Sequence, residues 1–280
     1  MTVPVSLTAV VLAGRVLHDG PRTARRNFDA RGAVVITASV VALVHAALGI
    51  ADGRWTELIV LGLALSVLLL GAFIRIERRA VEPLVPLELF RSRFLSTGVA
   101  LAVLGGAARA STFVLVALYL QQALAMSPQR GGMAMIPTSL TGFLVSLTLL
   151  PRVLRAFGPQ RSLVGGLVIL ATGHLWLAYA PHGAGYLGAV LPGLVLVATG
   201  VALSFTPTTM IIASAAPASH AGLASGLASS ATQVGAALGT AAFTGIALTD
   251  DGSGFPAAFT AAAAVAIATA LLGWTIARGA

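Results

Sequence analysis

Apolar runs broken by short polar punctuation cover almost the whole chain. They lie at roughly 33–50, 58–74, 94–124, 132–150, 162–180, 186–214, 221–248 and 256–277. Each is long enough, or nearly so, to cross a bilayer as a helix, which takes ~20 residues. The short alternating segments of a membrane β-barrel are absent. One more apolar run, VPVSLTAVVLAGRVL, opens the chain. A signal peptide carries its positive charge before the apolar run; here Arg15, Arg22, Arg25 and Arg26 follow it and none precedes it. The run is also short for a full span, so residues 1–17 read as the end of a transmembrane helix that starts elsewhere. The predicted fold class is an all-α polytopic membrane protein, with about eight full transmembrane helices plus a partial one at the N-terminus.

Composition agrees with the pattern. The 280 residues are 57% hydrophobic and 9% charged, against about 25% charged in a soluble domain. Such a chain cannot cover a water-facing surface. With no cysteine, disulfides and thiol chemistry are excluded. The net charge of +8 comes from 17 basic residues, all arginine, set between apolar runs. No aromatic interleaving accompanies them, so a nucleic-acid surface is not indicated.

The arginines report topology instead. Arg15, Arg22, Arg25, Arg26 and Arg31 fill the first connection, Arg75, Arg78, Arg79, Arg91 and Arg93 the third, Arg152, Arg155 and Arg161 the fifth, and Arg278 the tail. The second and fourth connections hold only Arg54 and Arg130. By the positive-inside rule the odd connections and the C-terminus are cytoplasmic. The last six spans form two triplets, each opening with a long segment (94–124, then 186–214). The connection before the closing span is basic in the first (LPRVLRAFGPQRS) and acidic in the second (TDDGSGF). This is the trace of an inverted-topology repeat.

Local wording narrows the reading. FDARGAVV, EPLVPLELFRSRF, LYLQQALAMSPQRGG, FGPQR, FTPTT and AGLASGLASSATQVGAALG resemble the major facilitator superfamily, and within it the fourteen-span drug:proton antiporters of the EmrB/QacA type. The resemblance covers essentially all of this chain and about half of such a transporter. It implies three parts: the end of a truncated span (1–17), a cytoplasmic loop with an inserted two-helix pair (18–93), and a C-terminal six-helix domain (94–280). It also implies a cytoplasmic loop motif at Arg152, Gly158 and Arg161. Two positions depart from the family pattern: Arg155 stands where members often carry Asp, and Thr232 where they often carry Arg or Gln.

An antiporter of this kind binds an amphipathic substrate near the midplane and protonates a buried carboxylate. All nine acids of this chain fall in connections or at helix ends, so the resemblance places the proton carrier in the absent N-terminal half. Arg109 does lie within a span, where a charge is expensive unless it faces water or a partner. At ~100° per residue, Gly98, Gly105, Arg109, Thr112, Val116 and Tyr119 share one face. That face reads either as a cavity wall, contacting substrate or an acid from the other half, or as a place where Arg109 pairs structurally with backbone carbonyls. His174 and His45 read as structural. Pro137, Pro192 and Pro207 interrupt spans, as static kinks or near moving segments.

The stretch GLASGLASSATQVGAALG (222–239) holds the remaining chemistry. Its glycines at 222, 226, 235 and 239 do not form the GxGxxG of a dinucleotide loop. Around Ser225, Leu223 occupies the place where a rhomboid-like intramembrane protease needs glycine. As a helix it has two faces. Gly222, Gly226, Ser229, Gln233, Thr240 and Thr244 form a polar stripe assigned to the cavity or to the seam with the other half; Gly235 and Gly239 fall on another side, and all four glycines are candidates for helix packing, as GxxxG pairs are.

The sequence therefore predicts part of a secondary active transporter, a proton-coupled multidrug exporter working by alternating access, with no enzyme activity. Its expected place is the inner (plasma) membrane, multi-pass, with partners in the lipid bilayer, small amphipathic substrates, protons and the missing N-terminal half. Cavity-facing candidates are Arg109, Thr112, Tyr119 and Gln233. No cofactor, metal or nucleic acid is expected. A truncated, inactive product and a non-transporting scaffold or assembly subunit remain as alternatives.

Overall fold

The computed structural model describes residues 29–51, 57–80, 83, 85, 87–180, 185–215, 221–248 and 254–279. The run expected at 1–17 lies outside these. Among the described residues all regular structure is helical: α1 (Ala30–Ala51), α2 (Glu57–Glu77), α3 (Arg93–Leu118), α4 (Pro128–Ala134), α5 (Ile136–Leu144), α6 (Leu150–Ala178), α7 (Leu191–Ala215), α8 (Ala221–Ala247) and α9 (Phe255–Gly279). Starts follow local chemistry. Ser92 caps α3 by accepting from the Leu95 N–H, and Ser127 caps α4 with Pro128 in the first turn.

Among the described residues six stretches are long and apolar enough to cross a membrane by length and composition. Two differences from the expected eight have physical causes. The runs at 132–150 and 162–180 belong to one helical stretch, Pro128–Ala178. The basic connection foreseen between them is helical on both sides of a single break at Gly158, whose φ of 77° and ψ of 173° lie outside the helical region. Only glycine adopts that conformation without strain. α8 does not meet the apolarity test, because the polar stripe lowers the hydropathy of a helix of 27 residues.

Prolines shape the rest. Pro137 separates α4 from α5. Pro151 and Pro192 each follow a π turn, Val145–Leu149 and Tyr186–Val190. Proline's ring crowds the carbonyl four residues back, and a wider turn makes room. Pro207 stays inside α7 and leaves the Leu203 carbonyl without its helical donor. The Ser162 hydroxyl of α6 donates to that carbonyl at 3.1 Å.

α6 packs against α7 and α9, and α3 against α8, α9 and α7; α1 pairs with α2 and touches α8. Where lipid replaces water, helices gain little from hiding leucine, and close backbone approach decides their packing. The α6–α7 seam uses glycine for this: a Cβ on Gly200 would stand 2.4 Å from the Leu170 nitrogen. A leucine-rich core (Leu101, Leu115, Leu163, Leu167, Leu170, Leu194) closes against Phe255 and Phe259 of α9. α1 and α2 hold together through the Ser39 hydroxyl, which donates to the Ser66 carbonyl at 2.8 Å. Their outer faces expose Val34, Val41, Leu58, Val67 and Leu68, a surface suited to lipid.

Candidate functional site

α3, α5 and α7 enclose an open groove of about 270 Å³. Phe113, Phe143 and Phe205 supply aromatic walls, and Thr138, Ser139, Ser146 and Thr206 supply hydroxyls. A Cβ on Gly142, also in the lining, would meet nothing within 4 Å. Apolar walls with a few hydroxyls suit an amphipathic molecule.

Arg109 lies behind this groove. It is 3% exposed and folds back over Gly105, whose Cβ position is 2.6 Å from Nη1. Nη1 donates to the Thr208 hydroxyl of α7 at 3.5 Å. The guanidinium carbon stands 5.7 Å from the centroid of the Phe205 ring, a cation–π distance. Nε and Nη2 have no hydrogen-bond partner.

The rest of the α3 face seen in the sequence turns inward. Thr112 is buried and donates to the Ala108 carbonyl at 2.9 Å. Its oxygen also lies 2.8 Å from His174 Nε2. With the hydroxyl proton already committed, Nε2 is the donor in this contact. His174 is fully buried and this contact ties α6 to α3. Tyr119 meets α9, edge-on to Phe255 at 5.5 Å and to Phe259 at 5.8 Å. Thr112 and Tyr119 thus join α3 to α6 and α9 and do not line the groove.

α8 has two unlike sides, and Gly222 and Gly226, expected to pack, do not. Gly222, Gly226, Ser229 and Gln233 are exposed, and a Cβ on Gly222 or Gly226 would meet nothing within 4 Å. On the other side, a Cβ on Gly235 would stand 1.9 Å from the Val103 carbonyl oxygen, and one on Gly239 2.5 Å from Ala107 Cα. Gly106 of α3 answers them, its Cβ position 2.3 Å from the Thr232 carbonyl oxygen. Arg152 donates to the Thr148 carbonyl at 2.8 Å, and Arg161 is exposed beyond the Gly158 break. One contact lay beyond the sequence reading: the Tyr186 hydroxyl donates to the Ala134 carbonyl where α4 gives way to α5. A break ahead of Pro137 strands carbonyls, but nothing local announces which side chain collects them. No group of acids and histidines suited to a metal occurs among the described residues.

Comparison with known proteins decides the family. The profile of the Major Facilitator Superfamily matches residues 4–240 and, in a second alignment, 100–278. The chain belongs to the Major Facilitator Superfamily. Major facilitators are membrane transporters and not enzymes. The tetracenomycin C resistance and export protein of Streptomyces glaucescens is 38% identical over 245 residues, covering 86% of this chain and 45% of that protein. The cephamycin export protein CmcT of Amycolatopsis lactamdurans is 32% identical, covering 91% of this chain and 52% of that protein. The chain thus spans about half the length of these relatives. The crystal structure of the nucleoside transporter NupG shares the major facilitator fold, with a TM-score of 0.55 at 17% identity over 86% of this chain and 64% of its own.

Proposed function

We propose that this chain forms the C-terminal transport domain of a drug exporter of the fourteen-span branch. The groove between α3, α5 and α7 carries this reading, and relatives named for drug export and resistance support it. α3, α5, α7 and α8 form one wall of a central cavity, with Gln233 on its face and Arg109 behind it. The relatives are about twice as long as this chain, and on this reading an N-terminal half forms the other wall. Export proceeds by alternating access: the two halves rock about a fixed site near the midplane. The arginine distribution puts the C-terminus in the cytoplasm of a cell bounded by the plasma membrane. Coupling to protons requires a titratable carboxylate in the membrane. From residue 89 to residue 249 the chain has neither Asp nor Glu, so on this reading α3 to α8 do not supply that carboxylate, and it lies elsewhere in the transporter.

The absence of cysteine from this chain makes a direct test available. Ser139→Cys, introduced into the full-length gene product with any other cysteines removed, is expected to react with N-ethylmaleimide and to be protected by a transported aromatic drug. Leu187→Cys, exposed and outside the groove, is expected to react at the same rate with or without drug. Equal protection at both positions, or at neither, counts against the groove as the site.

A further inference from the structure

The buried guanidinium of Arg109 is half satisfied. Nη1 reaches only a hydroxyl at 3.5 Å, and that hydroxyl, Thr208 Oγ1, already donates to the Ser204 carbonyl at 2.8 Å. Nε and Nη2 are orphans. These two nitrogens share one edge of the guanidinium, the edge that receives a carboxylate side-on through two parallel hydrogen bonds. Among the described residues no carboxylate bonds to them, and α3 to α8 contain neither Asp nor Glu. An unpaired buried charge is costly to keep, so its persistence calls for a negative visitor.

The route for that visitor is visible. Phe205 lines the groove, is 52% exposed, and carries the guanidinium over its ring. One aromatic ring thus stands between the groove and the cation. A change in the Phe205 side-chain torsion, an ordinary motion for a half-exposed residue, brings the two into contact.

We propose that the groove selects substrates with an anionic head, a carboxylate or its equivalent, joined to an aromatic body. The body rests against Phe113 and Phe143, and the head displaces Phe205 to pair with Nε and Nη2 of Arg109. This rests on the groove being the substrate site, and names the class of substrate that site prefers.

The test titrates purified full-length protein in detergent with two probes of one shape, 2-naphthoate and its neutral methyl ester, read by naphthalene fluorescence. Gly142→Trp, which fills the groove, is expected to abolish binding of both. The wild type is expected to bind the anion roughly tenfold or more tightly than the ester, the scale of a charge-assisted pair. Arg109→Gln is expected to erase that preference while keeping ester binding. Phe205→Ala, with the arginine retained, is expected to tighten the anion more than the ester, and it serves alone if Arg109→Gln does not fold. Equal affinity for the two probes in the wild type overturns the proposal but leaves the groove standing. A preference that survives Arg109→Gln, or a Phe205→Ala effect equal on both probes, also overturns it and places the partner of the anion somewhere other than Arg109. Binding of both probes untouched by Gly142→Trp overturns the groove reading as well.

Discussion

Two pairs of glycines in α8, Gly222 with Gly226 and Gly235 with Gly239, are chemically identical and physically opposite. Gly226 faces open space, whereas the Cβ position of Gly235 overlaps the Val103 carbonyl. Gly226→Ala is therefore expected to be neutral or to stabilise by up to about 1 kcal/mol, the helix-propensity gain. Gly235→Ala forces α3 and α8 apart and is expected to cost about 1–3 kcal/mol or more. Thermal unfolding in detergent separates the two; equal shifts contradict the assignment of faces. This division was legible in the sequence, because the 3.6-residue period fixes which residues share a face. The fate of Arg109, Thr112 and Tyr119 was not. They do share a face, but one period cannot say which neighbour the face meets. In a bundle, a polar stripe serves a buried Thr112–His174 contact as readily as a cavity. The partner decides, and α6, α7 and α9 arrive from sixty or more residues away.

Among the elements, α6 and α7 show how two helix faults are made to cooperate. Pro207 strands the Leu203 carbonyl, and Ser162 occupies it from the facing helix at 3.1 Å. Ser162→Ala leaves a buried acceptor unsatisfied, at an expected cost of about 1–3 kcal/mol. The double variant Ser162→Ala with Pro207→Ala restores the helical donor and is expected to recover part of that loss; a strictly additive result in a double-mutant cycle contradicts the coupling. The prolines were legible as interruptions of spans. Their compensation was not, since the relieving hydroxyl lies 41 positions away in the chain. The Gly158 break has the opposite history. Its basic flank marked a connection, and the connection proved to be one residue, held by a backbone conformation only glycine takes easily. Gly158→Ala is expected to lower stability by about 1–3 kcal/mol, read by the same unfolding assay; an unchanged midpoint contradicts a strained break there.

At the scale of the molecule, the all-helical membrane character and the family follow from apolar runs and a handful of local words. The groove does not, because its lining comes from three helices whose approach is set by packing. Export is the claim on which the functional account rests. The most direct measurement is accumulation of the neutral fluorescent probe Nile red in cells expressing the full-length gene product. The wild type is expected to lower accumulation. Gly142→Trp, which places a large ring in the groove, is expected to return it to the level of cells without the gene. Gly165→Trp, equally unobstructed but outside the groove, is expected to behave as wild type. Accumulation that the wild-type protein leaves unchanged, or that Gly142→Trp leaves as low as wild type, would contradict the account.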